Sequence, residues 1–74
     1  MHQQTDEDAL YYVTVRDAGR TGYLKGPYGT HGEALSQVSD ARRLAEKANA
    51  WACFYSFGTA RCPASRRIST VFGR

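Results

Sequence analysis

The chain has 74 residues and a formal net charge of +3, from ten basic and seven acidic side chains. A chain of this length buries only about 60% of its unfolded surface, so its core is small and a binding partner is a common support. No stretch reaches the roughly 18 apolar residues of a membrane span, and the polar N-terminus lacks the apolar segment of a signal peptide. We therefore expect a cytoplasmic protein with reduced cysteines and no membrane partner.

The charge is unevenly distributed along the chain. Residues 1–8 include the acids Asp6, Glu7 and Asp8, and are predicted to form a disordered acidic tail. Residues 9–74, predicted to form a single α+β domain, carry ten Lys/Arg and four Asp/Glu, a difference of +6. Eight of the ten bases are arginine, whose planar fork suits phosphates and carboxylates. This composition favours an acidic partner, although an ordinary solvated surface has the same composition.

The first predicted element is a β-hairpin over residues 10–26. Its first half is rich in β-branched and aromatic residues, which favour strands. Gly19 and Gly22 mark the turn, and Pro27 is expected to end the second strand because proline cannot donate to a ladder.

A helix is predicted over residues 31–48. Thr30 and Glu33 have the spacing of a capping box, in which each side chain bonds the other residue's backbone amide. Apolar residues then recur at steps of four and three, which places them on one helical stripe: Ala34, Val38, Ala41, Ala45 and Ala48.

Two further strands are predicted over residues 51–57 and 68–72, separated by a turn at 62–67. The order β-β-α-β-β indicates an α+β fold, an antiparallel sheet of three to four strands with one helix packed on one face. Because a single helix covers one sheet face and aromatic residues alternate onto both, some aromatics should remain exposed. The alternation does not decide which face the helix covers, and the ends of the chain are an alternative cover for the second face.

Residues suited to catalysis or metal binding are few. His2 and His31 have no nucleophile at a suggestive spacing, and Cys53 and Cys62 do not form a Cys-x-x-Cys motif. No glycine pattern matches a phosphate-binding loop. We expect no enzyme, no cofactor and no metal. Cys53 is expected to be buried in a strand and Cys62 exposed in a loop; a disulfide between them is left open but is disfavoured in the cytoplasm.

The arginines provide the remaining candidate site. Some flank the hairpin turn, with Lys25 nearby, and others surround the last loop, so the two groups can meet at one end of the sheet. Aromatic rings interleaved with arginines suit single-stranded nucleic acid and also protein interfaces. The predicted partner-binding set joins an open aromatic face to these basic loops: Tyr12, Arg16, Arg20, Tyr55, Phe57, Arg61, Arg66 and Arg67.

Several short runs resemble small uncharacterised accessory proteins of phages and mobile elements in Gram-negative bacteria. The runs are YYVTVRDAGRTG at residues 11–22, GPY at 26–28, EAL at 33–35, ARRLA at 41–45 and FYSFGT at 54–59. In size and architecture the chain is also similar to anti-CRISPR proteins. That resemblance implies a non-enzymatic phage protein that inhibits a host defence complex by binding it, with no functional residue transferred.

Three hypotheses follow. The first is a non-enzymatic phage or mobile-element protein that binds a host protein or ribonucleoprotein complex, most concretely an anti-CRISPR-like inhibitor of a CRISPR–Cas nucleic-acid complex. The second is a small basic nucleic-acid-binding accessory protein, whose affinity would fall steeply with salt. The third is a homodimer in which two aromatic sheet faces bury each other.

Overall fold

A computed structural model describes residues 9–74, and the predicted acidic tail at residues 1–8 lies outside this range. The described chain is an α+β fold built on a three-stranded antiparallel sheet in the order β2-β1-β3, which confirms the predicted fold class. The elements in chain order are β1 (Ala9–Asp17), β2 (Arg20–Tyr28), α1 (His31–Ser36), α2 (Val38–Ala48), a 3-10 helix (Ala50–Phe54) and β3 (Ser56–Pro63).

The predicted hairpin is present as β1 and β2. Ala18 and Gly19 connect the strands, and both have positive φ, 51° and 86°, as the turns that match the strand twist require. Strand β2 continues past its expected end, through Pro27 to Tyr28, which pairs with Tyr11. Proline is tolerated here because β2 is an edge strand of the sheet.

The predicted helix begins where expected but is divided in two. Thr30 Oγ1 accepts a hydrogen bond from the Glu33 amide at 3.2 Å, and Glu33 Oε1 accepts one from the Thr30 amide at 3.1 Å. Gln37 separates α1 from α2, and its amide donates to the Ala34 carbonyl at 3.0 Å, in the tighter i→i−3 pattern. Ala34 and Ala41 are fully buried, so small side chains bring both helices close to the sheet.

The strand predicted over residues 51–57 is wrong in position. Residues 50–54 form the 3-10 helix, and β3 begins only at Ser56. From there β3 pairs antiparallel with β1 along its whole length, from Arg16↔Ser56 to Ala9↔Pro63.

The fourth strand predicted over residues 68–72 is also wrong, since none of residues 64–74, all of them described, lies in a strand. This C-terminal segment instead packs over the sheet: the Ile68 amide donates to the Tyr12 hydroxyl at 3.0 Å. The Val71 and Phe72 amides then donate to carbonyls of β2, at 3.1 and 2.8 Å. The segment therefore covers both the outer edge of β2 and the face on which Tyr12 lies.

The core between sheet and helices includes one charged side chain. Lys25 is 6% exposed, and its Nζ donates to Gln37 Oε1 at 2.8 Å and to Asp40 Oδ2 at 2.9 Å. Hydrogen bonds from Lys25 and from Arg43 lower the pKa of Asp40 below its usual value. Lys25 therefore joins β2 to α2. The expectation that Lys25 belongs to the basic surface beside the hairpin turn is wrong. The apolar members of this core include Ala9, Tyr11, Val13, Leu24, Tyr28, Ala34 and Ala41.

Candidate interaction surfaces

Two exposed aromatic rings lie on the 3-10 helix. Trp51 is 69% exposed and Phe54 is 76% exposed, and their ring centroids are 5.8 Å apart with an interplanar angle of 35°. Each ring therefore contacts the other while most of its surface faces solvent. We call this pair the aromatic knob.

Local backbone chemistry fixes the aromatic knob in place. A 3-10 helix has three residues per turn, so Trp51 and Phe54 lie on the same side of it. The Asn49 side-chain oxygen accepts the Trp51 amide at 3.0 Å and so caps the first turn. Ala52 is 1% exposed, and its carbonyl accepts the Tyr55 amide at 3.0 Å. The knob is thus held between a cap and a buried alanine.

Covering the exposed rings of the knob with a partner would give a substantial favourable free energy of burial. Aromatic side chains bury roughly 150–250 Å² each when covered, so the exposed fractions of Trp51 and Phe54 correspond to about 300 Å². At about 25 cal/mol per Å², covering that area is worth about 7 kcal/mol before the costs of association. An apolar area of about 300 Å² lies at the lower end of the range for the largest patch on a typical monomer, and such patches are often functional.

The three aromatic residues predicted to form an open sheet face are not exposed there. Tyr12 is completely buried beneath the C-terminal segment, so its predicted role as a surface contact is wrong. Tyr55 is half-buried and lines a small cavity at the hairpin end together with Arg20. Phe57 is half-buried against the helix-side core, where the Arg42 guanidinium lies 5.7 Å from the centre of its ring. At Tyr12 the alternative expectation is the correct one: the C-terminal segment of the chain covers this face.

The five predicted arginines are all exposed but do not gather at one end of the sheet. Because β3 runs antiparallel to β1, Ser56 pairs with Arg16 and Pro63 pairs with Ala9. The two pairs are seven positions apart along the strand, a distance of about 23 Å. The hairpin turn and the beginning of the last turn therefore lie at opposite ends of β1, and the expectation that the two basic loops meet is wrong. The exposed arginines are Arg16, Arg20, Arg61, Arg66 and Arg67.

A cleft of about 410 Å³ lies where α1, β1 and β3 meet. It is lined by Tyr11, His31, Thr59 and Arg61. Tyr11 and Arg61 are directly paired across β1 and β3. His31 Nε2 and Thr59 Oγ1 are 3.1 Å apart, and the rings of Tyr11 and His31 are 5.8 Å apart between centroids. We call this the His31 cleft. It brings together Arg61, a member of the predicted partner-binding set, and three side chains outside that set.

The two cysteines are free, and their burial is the reverse of the prediction. Cys53 is exposed because it lies on the 3-10 helix beside the knob, whereas Cys62 is buried within β3. Burial raises the pKa of the Tyr23 phenol, and the neighbouring Cys62 raises it further. Among residues 9–74, no group of three or more His, Cys, Asp and Glu side chains is arranged to hold a metal ion.

The aromatic knob was missed because Trp51 and Phe54 were assigned to a strand, where they would have opposite faces. The signal that could have identified it is Asn49, a good capping residue, followed by aromatic residues three apart. The His31 cleft had no local signal, because its four residues are far apart in sequence.

Comparison with known proteins gives no relative for this chain: no protein-family model, curated protein or solved structure matches it. Within the described residues, no helix has the length and apolar character needed to cross a membrane. A function has therefore to be inferred from the surfaces of the chain itself.

Proposed function

We propose that the chain is a non-enzymatic binding protein that inserts the aromatic knob into an apolar pocket of a larger partner. The observation that carries this proposal is the exposure of two contacting rings, Trp51 and Phe54, on a capped and anchored turn. Tryptophan is among the residues most enriched in interface hot spots, and a preorganised anchor loses little entropy on binding. A knob of this kind is suited to recognition.

The proposed partner is a host macromolecular complex with an acidic surface around its apolar pocket. Residues 9–74 carry a formal charge of +6, so an acidic rim would be attracted to this chain. The resemblance of the sequence to phage and mobile-element proteins favours a host complex as the target. In its most concrete form, the proposal is that the chain inhibits a CRISPR–Cas nucleic-acid complex, with the knob as the anchor and exposed arginines as charged contacts.

The proposal is tested by recovering a tagged chain from the lysate of a Gram-negative host that expresses a CRISPR–Cas system, with and without nuclease. A stoichiometric protein complex that survives nuclease is the expected result, and CRISPR–Cas subunits in it would identify the target. Recovery of the chain alone, with a mass in solution that doubles as concentration rises, would contradict the proposal and favour the homodimer.

A second candidate function is direct nucleic-acid binding. The observation that favours it is the exposure of all five predicted arginines, since guanidinium groups on the surface can pair with phosphates. In this case affinity for a single-stranded oligonucleotide should fall steeply with salt concentration. Charge reversal at Arg66 and Arg67 should weaken that binding, while replacement of Trp51 should matter only if its ring stacks on a base.

A further inference from the structure

The His31 cleft combines side chains that suit a small anion. We propose that it binds the phosphate group of a small phosphate monoester, a function separate from the aromatic knob. The cleft volume of about 410 Å³ exceeds that of a phosphate group alone and lies within the range of pockets for small ligands. Space therefore remains for an organic group attached to the phosphate.

The donors of the cleft come from separate elements of the fold. Arg61 lies on β3 with five N–H donors in a planar fork, so one guanidinium can hold a phosphate while making another contact. Thr59 lies two residues earlier on the same strand, and therefore on the same face of the sheet. His31 begins α1 and faces both strands across the cleft.

The contact between His31 and Thr59 leaves a donor for the ligand. When the proton is on Nε2, the imidazole donates to Thr59 Oγ1 across the 3.1 Å contact. The threonine hydroxyl hydrogen is then directed away from the ring and can be donated to a phosphate oxygen. Tyr11, which is 8% exposed and anchored in β1, supplies a fixed aromatic wall beside the imidazole.

The described lining of the cleft contains no group that would repel a phosphate. None of its four described lining residues is acidic. Glu33, the single acid of α1, accepts the amides of Gly29 and Thr30 at 3.1 Å each and is thereby held at the helix cap. A phosphate monoester is favoured over a carboxylate because it can accept from arginine with two oxygens and still offer a third oxygen to threonine, whereas a carboxylate has only two.

The test is an amide chemical-shift titration of the full-length chain with inorganic phosphate and with glycerol phosphate, at constant ionic strength. Saturable shifts should be concentrated at the amides of Tyr11, His31, Thr59 and Arg61. Arg61→Gln should weaken phosphate binding by about tenfold or more, because it removes a charge-assisted hydrogen bond. Thr59→Val keeps a β-branched side chain in β3 and should weaken it by a smaller factor.

Arg67→Gln is the matched control, since it removes the same charge from an exposed position outside the cleft. Its phosphate affinity should equal that of the unaltered chain. Equal weakening by Arg61→Gln and Arg67→Gln would indicate general charge attraction and overturn the proposal. Shifts that do not saturate, or that are distributed over all arginines, would overturn it as well. The spectrum outside the cleft reports whether each variant is folded.

Discussion

Replacement of Tyr12 by phenylalanine should loosen the C-terminal segment without disturbing the sheet beneath it. The phenylalanine ring keeps the packing of Tyr12 and its edge-to-face contact with Tyr23, whose ring centroid is 5.6 Å away. The Ile68 amide loses the hydroxyl that accepts its hydrogen bond at 3.0 Å in a partly buried position. Leaving such a donor unsatisfied costs about 1–2 kcal/mol of the free energy of unfolding.

Thermal unfolding and amide hydrogen exchange measure this effect together. For a chain of this size, a loss of about 1 kcal/mol lowers the melting temperature by roughly 4–8 °C. Exchange at the Ile68 amide should accelerate by about tenfold, while the amides of β1 that pair with β3 should change only with global stability.

Tyr55→Phe is the control for this prediction. Tyr55 is half-buried, and within residues 9–74 its hydroxyl makes no hydrogen bond. The free energy of unfolding of this variant should change by less than about 0.5 kcal/mol. If Tyr12→Phe matched the unaltered protein in both melting temperature and Ile68 exchange, the account of the C-terminal segment as a fixed cover would be refuted.

The remaining predictions concern one glycine, one carboxylate and the cysteines. Gly26→Ala should lower the free energy of unfolding by about 2 kcal/mol or more in denaturant titrations. The reason is that φ of Gly26 is 132° and an added Cβ would lie 2.8 Å from a carbon of the Tyr12 ring. Gly58→Ala is the control, because a Cβ there has no atom within 4 Å, and its effect should be much smaller. The pKa of Asp40 is lower in the folded chain than its unfolded value near 3.8, so its stabilisation is present above that pH and is lost as the pH falls through the folded pKa. Asp40→Asn should therefore flatten the acid limb of stability against pH, and an unchanged limb would count against this ion pair. Cys53 should react with a thiol reagent in the native protein, whereas Cys62 should require denaturant; equal rates would contradict their different burial.

The parts of the fold that the sequence predicted correctly depend on local chemistry. The hairpin follows from a first strand rich in β-branched and aromatic residues and from the glycine-containing turn after it. The helix start follows from Thr30 and Glu33, which bond each other's backbone. Such signals lie within a few residues, so no knowledge of the tertiary structure is needed to interpret them.

The third strand was misplaced because aromatic content alone does not separate a strand from a short helix. Asn49 caps the Trp51 amide and starts a 3-10 turn, and this local bond outweighs the β-propensity of the residues that follow. Pairing with β1 then begins at Ser56, five residues later than expected, and Cys62 becomes part of the strand.

The predicted open sheet face depended on the assumption that only a helix covers a sheet. Here the last eleven residues cover the second face and the edge of β2 without forming a strand, by hydrogen bonds to Tyr12 and to carbonyls of Tyr23 and Leu24. These contacts join residues more than 45 positions apart in sequence, and no periodicity in residues 64–74 indicates them.

The site residues were only partly predictable for the same reason. Arginine exposure follows from composition, and the five arginines are exposed as expected. The separation of Arg61 from Arg16 follows from the register of β3 against β1, and that register could not be obtained from the sequence because the third strand was predicted in the wrong place. The His31 cleft depends on that register, and the aromatic knob depends on the local 3-10 turn.

The measurement that tests the central claim most directly compares partner recovery by the unaltered chain and by Trp51→Ser/Phe54→Ser. Both side chains are exposed, so this double variant should keep its melting temperature. Leu35→Gln is the control because Leu35 is also a large exposed apolar residue, at 53%. The account predicts that the double variant loses the nuclease-resistant partner while Leu35→Gln retains it. Full recovery of the same partner by a folded double variant would contradict the claim that the aromatic knob is the binding anchor.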